Sequence, residues 1–285
     1  MRDFYRKYNR VIVRSFKIWL PIIVIALSPF LFFLVKYNFY LFIGALALAG
    51  IIYMATFAYI NFNANMKDPV FKIIFRNMNK IGHIFNQKLD FNHVYYLNDR
   101  MVFDNLYFPF KQEDSFVTNY FYGKDGRTFY SFFNISNDKH KGYVLIVEDS
   151  AFDELKDKER LYICCKKYSV DRNVLTKRNL LKIDETSKFN IYGENRDISL
   201  NAYVKARLDL LVPDASNTIR SIVWSKNKMV YYIDNCSPFM PNDNLEKEDQ
   251  DKIVIAEIKE IKKQLTGMEI IVSCDIDKYI RKERR

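Results

Sequence analysis

A long uncharged run near the N-terminus constrains this chain more than any other feature. Apart from Lys36, residues 18–66 contain no charged side chain. A single helix over residues 18–62 would be about 68 Å long at 1.5 Å per residue, whereas the hydrocarbon core of a bilayer is about 30 Å thick. We therefore predict a transmembrane helical hairpin over residues 18–62, with crossings at 18–35 and 40–60 and its turn at Lys36.

Two other interpretations of this run are less favourable. A lone Lys36 at the bilayer centre would cost at least about 2.5–3.5 kcal/mol, whereas at a turn its stem lies in lipid and its ammonium in water. A cleaved signal peptide would have a shorter apolar core and a small-residue cleavage site, but here a second apolar run follows the first.

Basic residues flank the run on both sides. Residues 1–17 contain six Lys or Arg and one acid, and residues 67–80 contain four Lys or Arg and one acid. Basic residues near membrane spans favour the cytoplasmic side. We therefore predict a membrane protein with two spans, in which both termini and residues 63–285 are cytoplasmic.

The net charge of +10 is unevenly distributed. Residues 1–66 contain seven basic residues and one acid, and the tail 278–285 contains five basic residues and one acid, so the chain between them is neutral overall. A DNA-binding surface would need clustered basic charge on the folded body. The distribution instead predicts the lipid bilayer as a partner, through its anionic headgroups, and no nucleic acid. A solvated tail with no contact is equally compatible with the sequence.

Residues 67–285 alternate between helical and strand-like patterns. A helix is predicted over 67–90, with one buried stripe from Phe71 to Leu89 that includes Phe75 and Met78. Segments 116–123 and 127–135 flank Gly-Lys-Asp-Gly and predict an antiparallel hairpin, while 101–110 predicts short strands or irregular chain. Further strands are predicted at 142–148, 161–168, 189–193, 219–225 and 228–235, and further helices at 201–213 and 248–267.

These elements predict an α+β fold class, in which the transmembrane hairpin precedes a mixed, mainly antiparallel cytoplasmic domain. We expect Leu145 and five other strand residues to be buried: Tyr143, Val147, Ile222, Val230 and Tyr232. The predicted organisation is a basic N-terminal segment (1–17), the hairpin (18–62), a juxtamembrane helix (63–92), the α+β domain (93–267), and a C-terminal segment with a basic tail (268–285).

No catalytic, cofactor-binding or metal-binding residue is predicted, and no cofactor. The segment 123–127, Gly-Lys-Asp-Gly-Arg, lacks the full phosphate-loop pattern and lies between strands, which indicates a hairpin turn. The three histidines, His83, His93 and His140, are too scattered for a metal site.

The cysteines and acid pairs also favour structural roles. Cys164 and Cys165 lie beside two lysines, which could lower a thiol pKa, but small hydrophobic residues on opposite faces of a strand are the simpler interpretation. Cys236 and Cys274 are isolated, which does not suggest a disulfide framework. The acid pairs Glu148-Asp149 and Asp184-Glu185 are expected to be solvated.

Three segments resemble a bacterial family of unknown function, the domain-of-unknown-function family thirty-one thirty-seven. They are MVFDNLYF (101–108), DSFVTNYFYGKDGRTFYSF (114–132), and KFNIYGENRDISLNAYVKARLDLLVPDASNTI (188–219). His140-Lys141-Gly142 departs from the Phe-Lys-Gly usual in the family. The resemblance implies a bacterial inner-membrane protein with a two-span hairpin, a juxtamembrane helix and a cytoplasmic domain, and it implies no activity, cofactor or catalytic residue. In the third segment the matching positions are Phe189, Ile191, Tyr192, Ala206, Arg207, Leu211 and Pro213.

The predicted function is a membrane-anchored cytoplasmic interaction or scaffold module, which binds a protein partner or its own copies. The absence of a catalytic motif favours a protein that is not an enzyme, although catalytic residues need not be close in sequence. The alternative is an enzyme or lipid-handling protein at the inner leaflet, which would need a concave pocket with converging polar groups.

Overall fold

A computed structural model describes most of the chain, as two compact units, residues 1–72 and 73–285. The units are described one at a time. The described residues are 35–36, 39–95, 97–103, 110–149, 160–168, 170, 172–196, 198–211, 220–225, 227–234, 238–239 and 244–273.

The first unit contains a long helix, α1 (Phe39–Asn65). The Thr56 hydroxyl donates to the Ile52 carbonyl oxygen at 2.8 Å, so it is satisfied within the helix. Near the C-terminal end, the Phe62 ring meets the Phe71 ring edge-on, at 6.3 Å between centroids. Large apolar side chains along α1 are exposed, among them Ile51 at 66% and Met54 at 66%.

The predicted transmembrane hairpin is contradicted. Across the described part of the chain, no helix has the length and apolar character required for a bilayer crossing. The prediction rested on the absence of charge, but a run without charge also admits polar groups, and α1 contains tyrosines and ends with three asparagines within five residues. The first predicted crossing, 18–35, lies outside the described residues except for Val35. The predicted domain boundaries stay a prediction.

The next helix, α2 (Pro69–Phe85), confirms the amphipathic pattern. Asp68 caps its first turn, because one carboxylate oxygen accepts from the amides of Val70 at 2.8 Å and Phe71 at 3.2 Å. Proline suits the first position of a helix because it lacks the amide hydrogen that would be unpaired there. The predicted stripe was wrong at Phe75, which is 49% exposed, while Ile73 and Asn77 are buried instead.

The second unit is built on strands joined mostly by short connections. The strands are β1 (Asp90–Tyr95), β2 (Phe116–Asp125), β3 (Thr128–Ser136), β4 (Lys141–Asp149), β5 (Arg160–Cys165), β6 (Leu181–Glu185), β7 (Phe189–Gly193), β8 (Arg220–Ser225) and β9 (Lys228–Asp234). The helices are α3 (Arg100–Phe103), α4 (Arg172–Lys177), α5 (Ala202–Leu210) and α6 (Lys247–Val272).

The nine strands form one sheet in the order β1-β2-β3-β4-β9-β8-β5-β7-β6. Every pairing between the described strands is antiparallel. The second unit is therefore mostly an antiparallel sheet with a few helices. The chain builds β1 to β4 as neighbours, and β9 later pairs with β4 on one side and β8 on the other.

The two faces of the sheet are covered differently. The first, here the α6 face, packs against α6 through Val254, Ile258 and other buried side chains of that helix. Tyr130 of β3 donates from its hydroxyl to a carboxylate oxygen of Glu269 at 3.2 Å. The second, here the α3 face, carries a core that includes Met101, Val144 and Tyr162. The Tyr232 hydroxyl of β9 is within 3.1 Å of the Met101 carbonyl oxygen and donates into α3.

Glycine is required at two places in the first half of the sheet. Gly126 has a φ of +57° in the tight connection between β2 and β3, where Asp125 pairs with Thr128, which confirms the predicted hairpin turn. A Cβ on Gly142 would lie 2.4 Å from the Ile233 carbonyl oxygen. That distance is too short for any side chain, so the β4–β9 seam depends on glycine at this position.

The six side chains expected in the core, Leu145 among them, are all buried. Segment 189–193 matches β7, and the other predicted strands from 142 onward match to within three residues. Two strands, β1 and β6, were not predicted, and α3 replaces the strand or irregular chain expected at the start of 101–110.

Candidate interaction surface

Three tyrosines form a cluster on the α3 face at the β1 side of the sheet. The Tyr95 and Tyr120 rings stack with 4.3 Å between centroids and 10° between planes. Tyr122 lies 5.4 Å from Tyr120 by the same measure. Tyr95 is 38% exposed and Tyr122 is 39% exposed, so two of the three rings present large apolar area to solvent. We call Tyr95, Tyr120 and Tyr122 the tyrosine cluster.

The tyrosine cluster is fixed to the core from below. The Tyr120 ring lies 5.4 Å from the ring of Phe133, which is 1% exposed. Burial raises the pKa of Tyr120, a hydrogen bond with Ser131 opposes that shift, and the net pKa lies above the usual 10.0. The Tyr120 ring is therefore uncharged at neutral pH and held in place, which suits a preformed binding surface.

An exposed aromatic side chain continues this surface toward the β2–β3 turn. Tyr122 and Lys124 share a face of β2 because side chains alternate along a strand, and Lys124 pairs with Phe129 of β3. The Lys124 ammonium lies 4.7 Å from the centroid of the Phe129 ring, a cation–π contact. Phe129 is 42% exposed. The tyrosine cluster and Phe129 thus give one sheet face several partly exposed rings.

Lys228 forms a charged clamp beside the tyrosine cluster. Its ammonium bonds to the carboxylate of Asp99 and lies 3.3 Å from a carboxylate oxygen of Glu148. Burial lowers the pKa of Lys228, but the two carboxylates outweigh burial, so the net pKa is raised above its usual 10.5. Asp99 also accepts from the Met101 amide at 2.9 Å, so the clamp joins the start of α3 to β4 and β9.

The acid pairs do not lie in solvated connections as expected. Glu148 and Asp149 belong to β4, where Glu148 contacts Lys228 and Asp149, 4% exposed, pairs with Arg127 at 3.2 Å. Asp184 lies in β6 and accepts from the Leu200 amide at 2.8 Å and from the Lys205 ammonium at 2.5 Å. These carboxylates hold elements together. The expectation of solvated pairs is correct only for the exposed Glu185.

The histidines and cysteines have separate surroundings. His83 is exposed on α2, His93 is buried with Nδ1 3.0 Å from the Asn119 Oδ1, and the half-buried His140 ring meets Phe110. Cys164 and Cys165 are buried in β5, on opposite faces of the sheet. Within the described residues, no group of three His, Cys, Asp or Glu side chains could hold a metal ion. Cys236, Cys274 and the basic tail 278–285 lie outside those residues.

Asp209 of α5 anchors the β6–β7 turn through several hydrogen bonds. Its carboxylate accepts from the Thr186 hydroxyl at 2.5 Å, and from the Ser187 hydroxyl at 2.6 Å and the Ser187 and Lys188 amides at 3.1 Å each. Burial raises the pKa of Asp209, but these donors outweigh it and the net pKa lies below the usual 3.8.

Asp209→Ala is expected to destabilise the second unit by about 1–2 kcal/mol, because the donors of the β6–β7 turn lose their acceptor. Because the folded-state pKa of Asp209 is depressed, its contribution is present above pH 3.8 and is lost as the pH falls below that value. Urea denaturation at pH 7 and at pH 3 would measure both effects. The control is Asp249→Ala, because Asp249 is an exposed residue of α6 whose carboxylate pairs only with Lys252 among the described groups. An equal loss at both pH values would contradict this account.

Comparisons with known proteins do not extend this description. No family model matches the chain, and no match was found among curated proteins or solved structures. The resemblance to domain-of-unknown-function family thirty-one thirty-seven therefore stays a prediction. The tyrosine cluster was not predicted, because the sequence places Tyr120 and Tyr122 in a strand without indicating that two rings of the cluster would be exposed.

Proposed function

We propose that this protein is a membrane-associated interaction module, and that its tyrosine cluster binds a protein partner. The main observation behind this proposal is that Tyr95 and Tyr122 are exposed on one face of the sheet. The third ring of the cluster, Tyr120, packs on the buried Phe133. Tyrosine is enriched at protein interfaces because it brings a large contact area with few rotatable bonds.

The charged groups beside the cluster support a protein partner over nucleic acid. Lys228 is matched by Asp99 and Glu148, so this cation is already neutralised within the fold, and the Lys124 ammonium lies over the Phe129 ring. Single-stranded nucleic acid would need aromatic rings together with a positively charged groove. A partner that offers apolar side chains and a few hydrogen bonds fits this surface better.

The association with a membrane rests on α1. Its exposed side chains include Ile51, Ile52 and Met54, each more than half exposed. Contiguous exposed apolar surface of this kind indicates an interaction site. We propose that these side chains of α1 contact lipid. The proposal does not include a transmembrane hairpin.

The test is capture of the partner from the tyrosine cluster itself. A photo-crosslinking amino acid at position 122 should join the full chain to a discrete partner, whereas the same group at position 203 should not, because Tyr203 is an exposed tyrosine on α5 away from the cluster. Tyr122→Ala should reduce recovery of that partner at least about tenfold, as expected for an interface residue with a large contribution. Equal recovery with Tyr122→Ala and Tyr203→Ala would contradict the proposal.

A further inference from the structure

A short segment lies across the α6 face under backbone strain. Phe239 has a φ of +68°, in the left-handed region that bulky side chains rarely adopt. Its ring is nevertheless 1% exposed and lies 6.0 Å from the Phe121 ring, centroid to centroid. Two hydrogen bonds between described residues hold Pro238 and Phe239 in place: Asn134 Nδ2 donates to the Pro238 carbonyl oxygen at 3.1 Å, and the Phe239 amide donates to Glu257 Oε2 at 2.8 Å.

The surface under Phe239 is aromatic. The Phe121 ring stacks on Phe132 at 4.6 Å and lies 4.7 Å from Phe91. Phe132 stacks in turn on Phe85 at 5.7 Å. Lifting the Phe239 ring would therefore uncover an aromatic recess floored by Phe121, while the strands beneath it keep their pairing.

The closed position is opposed by three features. The backbone of Phe239 is strained. The Oδ1 of Asn134 is buried and accepts no hydrogen bond from the described residues, so water would satisfy it on opening. The Glu257 carboxylate is half-buried, and burial raises its pKa above the usual 4.5, with the Phe239 amide opposing that shift. Among the described residues, opening relieves all three features and breaks the hydrogen bonds to Asn134 and Glu257, and it exposes the Phe239 ring.

We propose that Pro238–Phe239 is a strap that opens locally, without unfolding of the sheet, and exposes the aromatic recess at Phe121. The strap is independent of the tyrosine cluster, which lies on the α3 face. Glu257 is the residue that positions the strap, since its carboxylate accepts from the strained residue itself.

Native-state hydrogen exchange of the full chain, with 15N-labelled phenylalanine, tests the strap directly. The Phe239 amide reports opening because it is the donor to Glu257. The Phe132 amide is the internal reference. It belongs to β3, which lies between two strands, so its hydrogen exchanges only on wider unfolding. We expect the Phe239 amide to exchange at least about 100-fold faster than the Phe132 amide, with little dependence on denaturant, as local openings do.

Three variants on α6 sharpen the result. Glu257→Leu removes the acceptor and should speed exchange at Phe239 by a further factor of about ten or more, the loss of one charge-assisted hydrogen bond. Glu257→Gln keeps an acceptor and should have a smaller effect. Glu260→Leu is the control, because Glu260 is 52% exposed. Exchange of Phe239 and Phe132 at the same rate, with the same denaturant dependence, would overturn the proposal, and so would equal acceleration of both amides by Glu257→Leu.

Discussion

Replacing Leu145 with aspartate is expected to unfold the second unit. Leu145 is fully buried in β4, where its neighbours across the sheet are Phe132 of β3 and Tyr231 of β9. An unpaired carboxylate in such a site would cost several kcal/mol, and the leucine contacts would be lost as well, at about 2–5 kcal/mol for a truncation of this kind. The sum is comparable with the whole stability of a domain, about 5–15 kcal/mol.

Ile253→Asp is the matched control for Leu145→Asp. It makes the same chemical change on α6, where the side chain is 43% exposed. Circular dichroism during heating and limited proteolysis should show a cooperative transition for the parent and for Ile253→Asp, and none for Leu145→Asp. A normal transition in Leu145→Asp would show that β4 is not the centre of the folded core.

Lys228→Met is expected to produce the second largest loss. Breaking a buried ion pair by removing one partner costs about 3–5 kcal/mol because the other charge remains buried. The Asp99 and Glu148 side chains are 25% and 31% exposed, so water can partly replace the ammonium. We therefore expect a loss of about 2 kcal/mol, measured as the shift of the urea midpoint.

A second substitution separates the lost bridge from the stranded charges. In the background of Lys228→Met, Asp99→Asn removes one stranded carboxylate and retains the oxygen that accepts from the Met101 amide. The double variant should therefore recover part of the loss, about 1 kcal/mol. Lys252→Met is the control, because the Lys252 side chain is 75% exposed. It should change the urea midpoint little. If the double variant loses the full sum of the two single losses, the clamp is not an electrostatic unit.

Local pattern was enough to predict most elements of the second unit. Segment 189–193 is short and largely apolar and became β7, while the acidic start and apolar stripe of 248–267 became most of α6. β1 was missed because Asn92 and His93 interrupt its apolar pattern, and its burial comes from pairing with β2. A sequence pattern reports propensity, and here the partner strand supplied the rest.

Long-range pairing and charge placement could not be predicted. Nothing local in β4 specifies β9 as its neighbour, and Asp99, Glu148 and Lys228 meet only once that pairing exists. The exposure of Tyr122 depends on the register of β2, which shifts between Thr118 and Phe121. The strap was not predicted either, since a left-handed Phe239 has no sequence signature. The transmembrane hairpin was wrong because absence of charge was treated as sufficient for a membrane span.

The insertion of β9 between β4 and β8 sets an order on folding during synthesis. Both neighbours leave the ribosome before β9, so the β1–β4 sheet has an open edge at β4 until residues 228–234 are available. About 85 residues separate the end of β4 from the end of β9, which is about 4–17 s at a synthesis rate of about 5–20 residues per second. During that interval the apolar strand Gly142–Val147 can pair with other chains. A nascent chain of this protein therefore depends on its last third to close an edge made near the middle of the chain.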